Sequence, residues 1–349
     1  MKKILKQNRE TINNKKNNKK NICHSIIFSI IKIALFPILF TFILKKKKKL
    51  NQKNFRKFSN SSKNFDNYKF AILADSVCPG CGLFSFYIHY LGCLCRFINR
   101  GFIPIIDLQS FPNVYNGFNV SSSNVNPWEY FFNQPDGYTL EEVKQKAKNV
   151  EYFKCNRHYY FNVHTVYSNK FLLDFYHTLA MKYLPIKNEL IQESNLIRKN
   201  LFHGSDNILG ILSRGTDYFA AHPRYHPIPP TPELIFQDIE EMDKNYKYDL
   251  FFLTTEDDII RKKFINKFGK KLRYYKYREN IKYDYEKGEF LYKNIHLHKN
   301  FELNKIYLIN IYILSKCIDI VTARTGGAIA LFFLTEGFRN SKVYYLGDY

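Results

Sequence analysis

Cysteine is scarce in this chain. Seven residues in 349 (Cys23, Cys78, Cys81, Cys93, Cys95, Cys155 and Cys317), an odd number, exclude a cystine-framework fold and point to a reducing, cytoplasmic compartment. There is no internal repeat, so solenoids and propellers are excluded. Beyond one apolar run near the amino terminus, no second stretch is long enough to cross a bilayer. Acid is also short, at 31 Asp and Glu against 53 Lys and Arg, a net charge of +22.

That charge is unevenly spread. Residues 1–67 hold 18 Lys and Arg against 2 acids, while the remaining 282 residues hold 35 against 29, an ordinary balance for a soluble domain. Lys45–Lys49 abuts an apolar run and does not alternate with stacking aromatics in a folded module, which disfavours a nucleic-acid partner, and none is expected. What is abundant is aromatic: 32 Phe and 27 Tyr in a 45% hydrophobic chain put it among globular proteins. Its length exceeds what one core usually organises and favours two domains or one large α/β domain.

Ile22–Leu44 is a mostly apolar run, long enough at ~1.5 Å per helical residue to span a ~30 Å hydrocarbon layer. No small-residue cleavage site follows, so an uncleaved membrane anchor is expected. Lys32 and Pro37 inside the run leave single-pass and interfacial placements both open, and basic flanks on both sides cancel the positive-inside rule. The resulting division is a basic tail at 1–21, the membrane segment at 22–44, a linker at 45–67, and α/β domains at 68–205 and 206–349. The last boundary rests on the turn-rich Leu201–Asn207.

From Tyr68 onward, short apolar runs alternate with amphipathic ones, which predicts a mostly parallel sheet with crossover helices. Strands are expected at Tyr68–Ala74, Phe102–Leu108, Ile208–Ser213, Asp249–Thr254, Ile318–Thr322 and Lys342–Leu346. Helices are expected at Leu83–Asn99, Leu140–Asn149, Lys170–Leu184, Lys187–Leu201, Pro232–Asn245, Asp257–Lys267, Glu302–Ser315 and Gly326–Gly337.

Three strand ends in the second half carry chemistry. The first runs into Ser213-Arg214-Gly215-Thr216-Asp217, where an arginine at a carboxyl strand end can grip a pyrophosphate through two parallel charge-assisted bonds. Gly215 lets backbone approach a ligand, and Asp217 can orient Arg214. The second, Leu250–Asp258, ends in Thr255, Glu256 and Asp257. Thr255 or Glu256 can cap the following helix, and one carboxylate can meet a ribose or base. The third ends at Arg324 and opens a helix through Thr325-Gly326-Gly327, whose free amides form an anion site.

At these residues the sequence resembles the fucosyltransferase superfamily that uses GDP-fucose, which includes α1,6-, nodulation-type and protein O-fucosyltransferases. Ser213–Tyr218 is similar to its first motif, Phe251–Asp258 to its second and Asp319–Leu334 to its third. Tyr225-His226-Pro227-Ile228 is similar to a stretch that follows the first motif in the α1,6-enzymes. The overlap covers about 210–335, and upstream only Cys81–Ser85 looks similar. Leu212 stands where the family usually has His, and Gly215 where many members have a second Arg. The resemblance implies a GT-B-like α/β fold of two Rossmann-like domains, the second holding the donor and the first facing the acceptor. It also implies Arg214 as the donor-phosphate arginine, GDP-fucose as donor and no metal. The lack of a D-x-D spacing agrees with the last point.

An inverting transfer needs a base for the acceptor hydroxyl and a cationic clamp for the leaving diphosphate. Arg214, Arg324 and the amides at Thr325–Gly327 supply the clamp. His222, eight residues past Arg214 and about where α1,6-like relatives carry a glutamate, is a side-chain type suited to be the base near neutrality, and Asp217 is the other candidate. In the alternative reading His222 and His226, each followed by proline, only shape a rigid loop. Cys78-Pro-Gly-Cys81 and Cys93-x-Cys95 read as buried or incidental thiols. The partners expected are a nucleotide sugar, a glycan or glycoconjugate acceptor and a membrane. The rival functions are a transferase for another nucleotide sugar and a non-catalytic membrane-attached scaffold.

Overall fold

Four consecutive buried residues in Lys69–Ala74 (β1) mark a strand covered on both faces, the condition for a parallel sheet. The structure is a computed structural model and describes residues 63, 65–74, 80–118, 120, 125–155, 161–162, 165–215, 217–222, 224–275 and 297–349. The 22–44 segment and Cys78 lie outside them. Among the described residues no helix is long and apolar enough to cross a membrane.

β1 is flanked by Phe102–Asp107 (β2) and Val150–Lys154 (β3) in a parallel sheet of order β2-β1-β3. Helix α1 (Leu83–Ile98) is apolar nearly all round and buried nearly all round, because β2 lies on one side of it and a helix of the second half on another. Cys93 and Cys95 lie within it as buried thiols, and burial pushes Cys95 up to about 12. Cys81, just before it, is disulfide-bonded, which corrects the expectation that it is an incidental thiol. Helix α2 (Leu140–Lys146) opens on a capping box between Thr139 and Glu142.

The loop after β2 owes its asparagines to backbone bracing. Asn126 Oδ1 accepts from Leu108 N–H at 3.0 Å, and its Nδ2 donates to Ile106 O at 2.7 Å. Asp107 takes the amides of Gln109 and Ser110 at 2.8 and 2.9 Å. Helices α3 (Lys170–Tyr183) and α4 (Asn188–Phe202) follow.

The second sheet comprises β4 (Ile208–Leu212), β5 (Leu250–Thr254), β6 (Leu272–Tyr274), β7 (Asp319–Ala323) and β8 (Asn340–Tyr344). It is parallel throughout, in the order β6-β5-β4-β7-β8. Its helices are α5 (Asp217–Ala221), α6 (Pro232–Tyr246), α7 (Asp258–Phe268), α8 (Leu297–Leu314) and α9 (Gly326–Leu334). The chain steps from β4 outward to β6, then returns to β7 on the other side of β4. That reversal opens a crevice at the carboxyl ends of β4 and β7, where open α/β sheets bind ligands. Lys63–Tyr349 form one compact unit holding both sheets, with α9 packed on α1 and α3.

Expected elements appear with ends shifted by a few residues, and the differences have physical causes. β3 carries Glu151 and Lys154 on an exposed edge, and β6 is three residues long, so neither has a strand-like apolar run. Helix α4, assigned to the first half by the sequence, packs on α8 and β6, and Phe202 meets Phe252 with ring centroids 5.4 Å apart. Beneath the sheet, at the opposite end from the crevice, the fully buried Asp319 carboxylate accepts from Arg339, from Asn340 N–H at 2.6 Å and from the Tyr248 hydroxyl.

Candidate functional site

The register of the second sheet sets four residues in one row at its carboxyl edge. Leu212 pairs with Thr254 on β5 and with Thr322 on β7, and Thr322 pairs with Val343 on β8. Counting two residues past each strand position brings Glu256, Arg214, Arg324 and Tyr345 to the same level: an acid, two arginines and a tyrosine.

Contacts along the row confirm the alignment. Arg214 Nη1 lies 3.3 Å from Glu256 Oε2, and the Gly215 N–H donates to Glu256 Oε1 at 2.7 Å. The Arg214 guanidinium rests 4.7 Å from the Tyr218 ring centroid, in cation–π geometry. On the other side, Arg324 N–H donates to Tyr344 O at 3.2 Å and its guanidinium lies 4.3 Å from the Tyr345 ring. Arg324 Nε is buried with no hydrogen-bond partner among the described residues.

Helix α9 starts beside Arg324. Thr325 Oγ1 accepts from Ala328 N–H at 3.2 Å, leaving the amides of Gly326 and Gly327 with no acceptor inside the helix. The first half of the chain closes in here. A Cβ on Gly326 would lie 3.7 Å from Ile88 and 4.0 Å from Ser85 N, so the amino-terminal ends of α1 and α9 converge. Tyr167, from the turn Val166–Ser168, donates to Thr325 O at 3.4 Å, and burial holds its phenol above the usual range.

Several expected roles change. Glu256 lies beside Arg214, because the β4–β5 register sets them side by side. Asp217 opens α5, and its side chain lies outside the described residues. The helix cap is Asp257, not Thr255 or Glu256: its Oδ1 accepts from Ile259 and Ile260 N–H at 2.8 and 3.0 Å. Glu256 and Asp257 thus hold protein groups where a ribose or base contact was expected. Gly215 is glycine for packing, since a Cβ there would stand 2.5 Å from Asp257 Oδ2 and 2.7 Å from Ile260 Cδ1. The same contact bars a second arginine at this position. Gly327 has a similar cause, with Tyr307 Oη 2.1 Å from where its Cβ would be.

His222 follows α5 at φ 41°, a left-handed conformation that costs a non-glycine residue about 1–2 kcal/mol. Its exposed imidazole stacks on Tyr349, with centroids 4.6 Å apart and planes at 27°. His226 meets the Tyr218 ring edge-on at 5.5 Å, so Tyr218 links the proline loop to Arg214. A small cleft at the ends of β5 and β6 is lined by Thr254, Thr255, Arg261, Tyr274, Tyr275 and Asn310.

Sequence reasoning missed Tyr167, Tyr218, Tyr345 and Tyr349. Tyr218 lies within the first motif and carried a signal. The other three come from distant segments with none.

No protein-family model matches the chain, and no curated protein matches it. Among solved structures it is similar to the NodZ alpha-1,6-fucosyltransferase soaked with GDP-fucose, at TM-score 0.49 and 12% identity over 77% of this chain and 93% of that one. It is also similar to the fucosyltransferase NodZ from Bradyrhizobium, at TM-score 0.44 and 12% identity over 73% and 88% of the two chains. The similarity is to fucosyltransferases. Apo POFUT1 gives TM-score 0.47 and 8% identity over 82% of this chain and 99% of that one. Likenesses of this strength carry no residue-to-residue correspondence, so the chemistry has to be read from the side chains of this chain.

Proposed function

We propose that the chain is a glycosyltransferase that binds a nucleoside diphosphate sugar across the β4–β7 crevice and transfers the sugar, with inversion, to a hydroxyl of a glycan or glycoconjugate. The observation that carries this reading is the row Arg214–Arg324 beside the start of α9: two arginines that follow aligned strand positions, one with a buried Nε that has no partner among the described residues, next to helix amides with no acceptor inside the helix. A diphosphate fits that arrangement, with Arg214 gripping its oxygens, Arg324 facing it and the Gly326 and Gly327 amides completing the cradle. Charge developing on the leaving diphosphate is then met by fixed cations and dipoles, without a metal.

The nucleoside extends toward β5 and β6, as dinucleotides do from a switch point, where the cleft at Thr254 and Tyr274 receives the base. The motif resemblance makes the donor GDP-fucose. His222 takes the proton of the acceptor hydroxyl, and Asp217 is the alternative base. The segment at 22–44 attaches the enzyme to a membrane on its cytoplasmic side. Vesicle flotation of the full chain and of a 63–349 fragment tests this, with only the former expected to float.

The deciding experiment follows thermal stability with GDP, UDP and dTDP, then donor hydrolysis with each nucleotide sugar. GDP is expected to raise Tm and GDP-fucose to be hydrolysed. A Tm unmoved by all three would favour a non-catalytic scaffold.

A further inference from the structure

The segment after β8, Tyr345–Tyr349, lies outside every motif of the sequence, yet it is tied to both sides of the site. It runs antiparallel to the proline loop, with a bridge between Pro227 and Asp348. Ile228 N–H donates to Gly347 O at 2.9 Å, Tyr349 N–H to His226 O at 3.0 Å and Tyr225 N–H to Tyr349 O at 3.2 Å. Gly347 takes φ 101°, a conformation open to glycine, where its carbonyl meets the Ile228 N–H.

The loop needs such fastening. Two of its non-glycine residues, His222 at φ 41° and Tyr225 at φ 63°, are left-handed, a conformation that persists only where the surroundings over-determine it. The strap supplies those surroundings and places a ring against each polar group at its ends. The Tyr349 ring lies nearly parallel to the His222 imidazole at 4.6 Å. The Tyr345 ring lies 4.3 Å from the Arg324 guanidinium, and its hydroxyl donates to Asp348 Oδ2 at 3.4 Å, within the strap.

We propose that this strap is a positioning element of the transferase site, in which Tyr349 fixes the His222 imidazole for the acceptor hydroxyl and Tyr345 fixes the Arg324 guanidinium for the donor diphosphate. The inference rests on the functional reading above and adds two residues to it. An arginine backed by an aromatic face keeps its fork in one plane while its outward N–H groups stay open to a phosphate. An imidazole stacked on a ring loses the freedom to swing, so its ring nitrogens hold a fixed direction. Both effects need an aromatic face and not a hydroxyl.

The two tyrosines are therefore expected to fail in different ways, which separates positioning from plain structural support. In the full chain, Tyr349→Leu should lower kcat about tenfold or more while GDP affinity shifts less than about twofold. Tyr345→Leu should weaken GDP binding about tenfold with a smaller loss in kcat. Tyr349→Phe and Tyr345→Phe, which keep the rings, should recover most of each loss. Parallel losses in kcat, GDP affinity and Tm from both leucine variants, or no rescue by phenylalanine, would overturn the proposal.

A readout independent of turnover guards against misfolded variants. In ligand-free protein labelled at histidine carbons, the His222 ring protons should be shifted upfield by the Tyr349 ring and should return toward ordinary values in Tyr349→Leu. Unshifted resonances in the unaltered chain would refute the strap even if GDP binds. An unaltered chain that shows the shift but neither binds GDP nor hydrolyses a donor would refute the functional reading instead.

Discussion

Glu256 holds Arg214 and the turn that follows it with one carboxylate, Oε2 at 3.3 Å from Nη1 and Oε1 receiving the Gly215 N–H at 2.7 Å. Both side chains are largely buried, at 17% and 8% exposed, so the pair fixes the guanidinium plane before any ligand arrives. Lysine cannot take that place, because a point charge has no fork and no flat face for Tyr218. Arg214→Lys is expected to lower kcat/KM by about 2–4 kcal/mol in transition-state stabilisation, measured with the preferred donor. An unchanged kcat/KM would remove Arg214 from the clamp.

The close approach of Gly215 to Asp257 gives a stability prediction. Gly215→Ala puts a methyl group 2.5 Å from Asp257 Oδ2 and 2.6 Å from its Cβ, so the start of α7 must move. A loss of about 1–3 kcal/mol is expected in denaturant unfolding. GDP affinity should fall with it, because Glu256 immediately precedes the displaced Asp257 cap. Unaltered stability would mean that α7 yields freely.

Replacing His222 tests the base. His222→Ala is expected to cut turnover by ~10²–10⁴ with GDP binding nearly intact, since proton removal matters only in the transition state. His226, edge-on to Tyr218, acts through loop shape, so His226→Ala should harm donor binding or folding more than turnover. A near-normal rate in His222→Ala would move the base to Asp217 or to an acid of the first half.

Asp319 offers a control far from the crevice. Its fully buried carboxylate accepts from Asn340 N–H, Arg339 and the Tyr248 hydroxyl at the amino end of β7. Asp319→Ala leaves those donors without an acceptor and is expected to cost about 2–4 kcal/mol of stability. Folded protein should keep its GDP affinity, read by calorimetry. Loss of binding without loss of stability would contradict this purely structural role.

The carboxyl strand ends at Arg214, Glu256 and Arg324 were legible because each motif is local: an apolar run, a polar turn and a helix start within a dozen residues. Helix and strand periods are local too, and so were the caps in outline. Which acid caps α7 was not, since Thr255, Glu256 and Asp257 all carry suitable oxygens, and only the backbone path at the end of β5 brings Asp257 Oδ1 to the Ile259 and Ile260 amides.

By itself, then, the sequence determined that the second half is a parallel sheet with cationic turns at its carboxyl ends, because binary pattern and turn chemistry are written in consecutive residues. The tertiary structure alone decided that Glu256 stands beside Arg214, that Arg214 and Arg324 follow aligned strand positions, and that Tyr345 and Tyr349 reach the site. The physical reason is register. A parallel sheet aligns residues tens of positions apart, as when Leu212 meets Thr254 on one side and Thr322 on the other, and no property of either segment alone states the offset.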